Sequence, residues 1–146
     1  LVWSDQPLTH LDRSQLPAAR YVIGPQTPDA LRAALDAHTV LCGLRHDLTA
    51  VNLTRLAAAA WAHPGQLVTC DHDVGAVSEP GRDPFFKPAF DLDLHLATDA
   101  YSVATAITAD GLERLLAETP EDATLTVWDL PLLAYQHSAH HHLEAV

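Results

Sequence analysis

The chain has 146 residues, of which 48% are hydrophobic, and a formal net charge of −11. This length and apolar fraction are typical of one globular domain, residues 1–146, with a core of its own. The charge argues against nucleic acid or an anionic membrane surface as a partner, because lysine and arginine together number only 8. With no membrane-spanning apolar run and no visible signal peptide, we expect a cytoplasmic protein, associated with a membrane only through a parent protein. The sequence lacks methionine, which indicates a domain cut from a longer chain.

Short apolar runs alternate with helical periodicity along the chain, which is typical of an α/β domain. Strands are predicted, in chain order, at residues 1–3, 20–23, 39–42, 67–70, 101–107 and 124–128. Helices are predicted at about 28–38, from Thr49 or Asn52 to the His63-Pro64-Gly65 stop, and from a capping box formed by Asp110 and Glu113. This order predicts a three-layer α/β/α fold with a mostly parallel central sheet.

Two Asp-x-Asp pairs follow the fourth predicted strand. Asp71 and Asp73 come directly after it, and Asp91 and Asp93 come after the aromatic–proline block at 85–88. Carboxylates at i and i+2 after a strand project to one side, as oxygen ligands of a hard cation do. A solvated exit from the strand is the alternative for the first pair, and helix or loop capping is the default for the second.

A longer string of residues carries a family likeness. It comprises His63-Pro64-Gly65, Thr69-Cys70-Asp71-His72-Asp73, Gly81-Arg82-Asp83-Pro84-Phe85-Phe86-Lys87-Pro88, Asp93-Leu94, Tyr101 and, more loosely, Trp128–His137. The string resembles the family 2 glycosyltransferases, nucleotide-sugar enzymes of the A-type fold, and within them the bacterial rhamnosyltransferase-like branch. The resemblance implies a truncated A-type, nucleotide-diphospho-sugar transferase-like fold and a role in surface-polysaccharide synthesis.

The resemblance also implies roles for individual residues. Asp5 falls where the family has an aspartate that contacts the nucleotide base, and Lys87 is placed to pair with a phosphate. Asp47 matches the second aspartate of the family's main metal motif. Together with Asp71 and Asp73, it would hold Mn²⁺ or Mg²⁺ in an active enzyme.

Departures from the family pattern argue against catalysis. Arg45 stands at the first aspartate of the metal motif, where a guanidinium repels a divalent cation, and we expect it to pair with Asp47 instead. The first strand and helix of the nucleotide-binding unit are missing. The acidic Glu-Asp-x-Asp-Leu-x-Leu-Arg segment that supplies the general base is also missing, which leaves only Glu121 and Asp122 as candidates.

Three functions compete at this point. The first is a non-catalytic module of a polysaccharide-assembly protein that packs on other domains, docks a partner or recognises a glycan. The second is an inverting, metal-dependent transferase that moves a hexose or deoxyhexose from a nucleotide-sugar to a glycan acceptor. The third is a metal-binding module that uses a histidine-rich tail, residues 137–146, with His137, His140, His141 and His142 as ligands. A tail without regular structure is the alternative to the third.

Overall fold

Strands and helices alternate along the part of the chain that the computed structural model describes, residues 1–9, 11–45, 48–73 and 84–143. The described strands are β1 (Val2–Ser4), β2 (Tyr21–Ile23), β3 (Val40–Leu44), β4 (Leu67–Cys70), β5 (His72–Asp73), β6 (Pro84–Phe85), β7 (Ala104–Thr108) and β8 (His140–Leu143). The described helices are α1 (Pro28–Ala33), α2 (Ala50–Ala62), α3 (Leu92–Thr98), α4 (Ala109–Leu116) and α5 (Asp129–Gln136), with a 3₁₀ turn at Arg13–Gln15. None of these described helices has both the length and the apolar character needed to cross a membrane.

Six of the strands form one mixed sheet in the order β2-β1-β3-β7-β4-β8. β1 pairs in parallel with β2 and β3, and β4 pairs in parallel with β8. β7 is antiparallel to both of its neighbours, β3 and β4. Five of the six strands therefore run in one direction, and the predicted α/β class with a mostly parallel sheet is confirmed. β5 and β6 form a separate two-stranded ladder.

Helices cover both faces of the sheet, because successive residues of each strand point to opposite sides. One face packs against α1, α4 and α5 through Trp3, Leu41, Leu67, Ile107, Leu31, Leu112, Leu115 and Leu130. The other face packs against α2 through Val2, Cys42, Val68, Ala106, Leu53, Leu56 and Ala60. Adjacent strand residues thus serve different cores, which gives the three layers.

Side-chain caps set where the helices begin. The Thr49 hydroxyl caps α2, as predicted, and the Asp91 carboxylate caps α3 by accepting from an N–H at 2.8 Å, which confirms the capping interpretation. The predicted start of α4 at Asp110 is wrong. Thr108 caps that helix by accepting from the Gly111 N–H at 3.4 Å, so the first turn begins directly after β7.

The first helix is shorter than its apolar periodicity predicts. It ends at Ala33 because Asp36 stabilises a turn instead of a further helical turn. The Asp36 carboxylate accepts from the His38 N–H at 3.0 Å and from the Thr39 hydroxyl at 2.8 Å. Short polar side chains that bond to nearby backbone in this way compete with helix formation.

The predicted strand at 124–128 is wrong. Only Leu125 pairs there, through an isolated bridge to Gln26. The next residues turn into α5, because the Asp129 carboxylate accepts from the Thr126 N–H at 2.7 Å and from its hydroxyl at 2.8 Å. The Asp129 N–H also donates to the Thr126 carbonyl at 3.1 Å, and these bonds hold residues 126–129 in a turn that ends the extended backbone.

The histidine-rich segment is a strand rather than a tail without structure, as far as it is described. His140–Leu143 forms β8, which pairs in parallel with β4 so that His140 stands opposite Leu67. A ring nitrogen of His140 lies 2.9 Å from the Pro131 carbonyl, and its ring stacks on Phe90 at 4.1 Å. His140 is thereby part of the packing of the sheet edge.

We expect Leu130→Ala to cost about 2–5 kcal/mol of unfolding free energy, because Leu130 is 1% exposed between α5 and the sheet. Leu96→Ala makes the same chemical change on α3, where the side chain is 55% exposed, and should cost at most about 0.5 kcal/mol. Urea unfolding followed by circular dichroism measures both. Equal losses would contradict the packing of α5 described above.

Candidate functional site

Charged residues collect where the parallel strands end. Asp5 follows β1, Arg45 follows β3 and Asp71 follows β4. β7 runs in the opposite direction, so its first residues, and Asp99 before them, lie at the same edge. A hydrogen bond of 3.1 Å from the Arg45 N–H to the Val103 carbonyl joins the two segments there. Open α/β sheets bind ligands at this edge. We call Asp5, Arg45, Asp71, Lys87 and Asp99 the edge cluster.

Arg45 links two carboxylates of the edge cluster. Its Nη1 lies 2.6 Å from Asp99 Oδ2, and its Nε lies 3.7 Å from Asp5 Oδ2. The three side chains are 37%, 29% and 23% exposed, so water screens the pairs only in part. The expected partner, Asp47, lies outside the described residues. The ion pairs that the structure does describe for Arg45 are with residues from two other segments.

Asp99 is fixed by its backbone as well as by Arg45. Its φ of 56° is left-handed, at the residue that ends α3, and its N–H donates to the His95 carbonyl at 2.8 Å. Aspartate tolerates this conformation better than most residues other than glycine. The Ser102 hydroxyl donates to the second carboxylate oxygen of Asp99. Each carboxylate oxygen of Asp99 therefore has a partner: Arg45 at Oδ2 and Ser102 at Oδ1.

Lys87, the chain's single lysine, is used inside the domain. The residue is 7% exposed, and its ammonium donates to the Cys70 carbonyl at the end of β4. Its backbone N–H donates to Asp71 Oδ1 at 2.7 Å. Burial lowers the pKa of Lys87, and the nearby carboxylates of Asp71 and Asp99 oppose that shift. The ammonium is thus hydrogen-bonded to the backbone at the end of β4.

The edge cluster does not fit a divalent cation in its present arrangement. Asp71 accepts from the Lys87 backbone, and Arg45 places a permanent positive charge between two other carboxylates. Asp73 lies in β5 opposite Pro84, and its side chain lies outside the description. Within the described ranges, no group of three or more histidine, cysteine, aspartate or glutamate side chains is arranged to hold a metal ion.

The two residues predicted as a possible general base lie elsewhere. Glu121 and Asp122 are exposed in the turn between α4 and α5, next to the Pro120–Ala123 hydrogen bond of 3.0 Å. None of the described contacts joins them to the edge cluster.

His95 is a member of this region that the sequence does not reveal. It is fully buried on α3, and its Nε2 donates to the Trp128 carbonyl at 3.2 Å while the two rings stack at 5.1 Å. Its Nδ1 has no hydrogen-bond partner among the described residues. Burial lowers the pKa of His95, against the opposing effects of the Trp128 carbonyl and of Asp99. In a seven-residue helix that also carries three leucines, the sequence does not indicate that the histidine is the buried residue.

The aromatic block anchors its loop only in part. Phe85 is half-buried, whereas Phe86 is 69% exposed. The stronger anchor is Phe90, whose ring lies 4.7 Å from that of Tyr101 and 4.1 Å from that of His140. Within the block, Phe85 is therefore the partly buried ring, and Phe86 lies largely in solvent.

Comparison with protein-family models, with curated proteins and with solved structures finds no match to this chain. The geometry of the edge cluster and the sequence resemblance are therefore the two observations that bear on function.

We expect Arg45→Met to cost about 1–2 kcal/mol of unfolding free energy, because it leaves two partly buried carboxylates without their shared cation. Arg20→Met is the matched control: Arg20 pairs with Asp36 at 3.7 Å, but the side chains are 54% and 65% exposed, so about 0.5 kcal/mol or less is expected. Urea unfolding at low salt measures both. Similar small losses would mean that Arg45 contributes no more than a surface pair.

The lowered pKa of His95 predicts a loss of stability on acidification. Below a pH of about 6.5 the unfolded chain takes up a proton at this histidine that the folded protein does not. The contribution of neutral, buried His95 to the free energy of unfolding is therefore complete above that pH and declines as the pH falls toward the pKa of His95 in the folded protein. His95→Gln keeps a donor for the Trp128 carbonyl and should flatten the decline, whereas His38→Gln, at an exposed site, should leave it unchanged. Chemical unfolding at a series of pH values decides, and an unaltered slope in His95→Gln would contradict the assignment.

Proposed function

We propose that this chain is a glycosyltransferase-derived module without metal-dependent transfer activity, serving as an accessory or interaction domain of a surface-polysaccharide assembly protein. The observation that carries the proposal is the pair of contacts from Arg45 to Asp5 and Asp99. They lie directly after β3, where the resemblance places the metal motif.

The guanidinium of Arg45 takes over part of the electrostatic task that a cation would have. Its one positive charge offsets half of the charge of the two carboxylates that it contacts at the strand ends. A metal ion at this edge would have to displace the 2.6 Å contact with Asp99 and then tolerate a neighbouring positive charge. Arg45 and Lys87 thus offset two of the three carboxylate charges of the edge cluster, which leaves less negative charge to attract a divalent cation.

The placement of the predicted base residues supports the same proposal. Glu121 and Asp122, the two candidates that the resemblance leaves for the family's general base, are exposed in the turn between α4 and α5. None of the described contacts holds either carboxylate beside the edge cluster, where a general base would have to lie.

The competing proposal is an active sugar-nucleotide transferase. It is favoured by one observation, the gathering of Asp5, Asp71 and Asp99 at the edge where α/β sheets bind ligands. In an active enzyme Asp47, Asp71 and Asp73 would hold Mn²⁺ or Mg²⁺, and Asp5 would contact the nucleotide base.

Calorimetric titration with UDP- and dTDP-sugars in the presence of Mn²⁺ separates the two proposals. We expect no saturable heat from the natural sequence, because Arg45 occupies the position of a metal-binding carboxylate. Arg45→Asp removes the cation and adds a carboxylate, and we expect it to gain measurable Mn²⁺ affinity. Arg45→Met, which removes the charge without adding a ligand, is the control for that gain.

Two results would contradict the proposal. One is metal-dependent nucleotide-sugar binding by the natural sequence that Asp71→Ala abolishes. The other is turnover of a nucleotide-sugar by the chain itself.

A further inference from the structure

A cleft of about 470 Å³ lies at the opposite edge of the sheet from the edge cluster. It is bounded by α2 and by the amino ends of β1 and β3. Its volume is within the range of about 300–1,000 Å³ that is common for small-molecule sites. The edge-cluster residues are not among those that line it, so a ligand there would be independent of the predicted nucleotide-sugar site.

One wall of the cleft is an apolar stripe of α2 that ends in an exposed indole. Leu53, Ala57 and Trp61 line the cleft at helical i, i+4 spacing. Leu53 is 3% exposed, but Trp61 is 50% exposed. A tryptophan on the core-facing stripe of a helix is expected to be buried, so this one leaves a flat apolar surface at the rim.

The lining of the cleft also includes a charged pair that offers both donors and acceptors. The pair is Arg20 and Asp36, with Arg20 Nη2 3.7 Å from Asp36 Oδ2. Hydrogen bonds from Thr39 and from the His38 N–H hold the Asp36 carboxylate in place and lower its pKa. The Arg20 side chain is 54% exposed and that of Asp36 is 65% exposed, so both have room for further hydrogen bonds.

We propose that this cleft binds one pyranose ring of a glycan, with the C–H face of the ring on Trp61 and adjacent hydroxyls on Asp36 and Arg20. Each sugar hydroxyl both donates and accepts, which matches a carboxylate beside a guanidinium. An anionic ligand such as phosphate would meet the Asp36 carboxylate and the chain's net charge of −11. A purely apolar ligand would give the charged pair no hydrogen bonds.

The test is a titration of the ¹⁵N-labelled chain with D-glucose, D-galactose, D-mannose and L-rhamnose, in EDTA so that no metal site contributes. We expect saturable shifts of the Trp61 indole N–H signal with at least one of these sugars. The Trp3 indole N–H, fully buried and donating to the Gly24 carbonyl at 2.8 Å, should not shift and serves as the internal reference.

Variants locate the site. Trp61→Ala and Asp36→Asn should each weaken the affinity by about tenfold, whereas Trp61→Phe, which keeps an aromatic face, should weaken it less. Phe86→Ala removes another exposed aromatic side chain, 69% exposed, and should leave the affinity unchanged. Because Trp61 and Asp36 are exposed, the variants are expected to fold, which the Trp3 signal checks.

Three outcomes would overturn the inference: no saturable shift with any of the four sugars, sugar binding that Trp61→Ala leaves intact, or a saturable Trp61 shift with inorganic phosphate or choline in place of the sugars. Metal-dependent nucleotide-sugar binding at the edge cluster would overturn the proposed function and leave this site unaffected.

Discussion

The contact of one guanidinium with two carboxylates organises the end of the sheet. Arg45 follows β3, Asp5 follows β1 and Asp99 precedes β7, so a single side chain ties together three segments that are distant in sequence. Asp5 adds a fourth segment, because its second carboxylate oxygen accepts a hydrogen bond from the Val127 N–H at 3.0 Å, two residues before α5 begins. The charges are partly screened by water, and their main effect is to fix the relative placement of loops that would otherwise be independent.

The same geometry connects structure to function. An edge at which parallel strands end is where an α/β domain normally holds a ligand. Here two cationic side chains of the same chain, Arg45 and the buried Lys87, lie among the carboxylates of that edge. The Ser102 hydroxyl and backbone N–H groups donate hydrogen bonds to further carboxylate oxygens. The described oxygens of that edge are therefore already occupied by groups of the chain itself.

Much of the fold could be predicted from the sequence, because apolar alternation and helical periodicity are local signals. They located five of the six strands of the main sheet and the start of α2. They failed where a side chain changed the backbone, as Asp129 does when it turns the predicted strand at 124–128 into a helix start. They failed at His140–Leu143 because β8 depends on pairing with a distant strand, which composition does not reveal. The sequence predicted Asp5 and Asp71 as site residues at the strand ends. It did not predict Asp99, the burial of Lys87 or the partners of Arg45, because these depend on contacts between segments that are distant in sequence.

The position of β8 has a consequence for biosynthesis. β4 lies between β7 and β8, so one side of its hydrogen-bonding ladder stays open until residues 140–143 have left the ribosome. A nascent chain that has already buried β1 to β7 therefore presents Leu67–Cys70 as an exposed, apolar edge, which is the geometry that templates intermolecular pairing. A chain interrupted shortly before His140 would leave that edge unpaired. With β8 in place, the edge that the described sheet presents is His140–Leu143 instead of the apolar Leu67–Cys70.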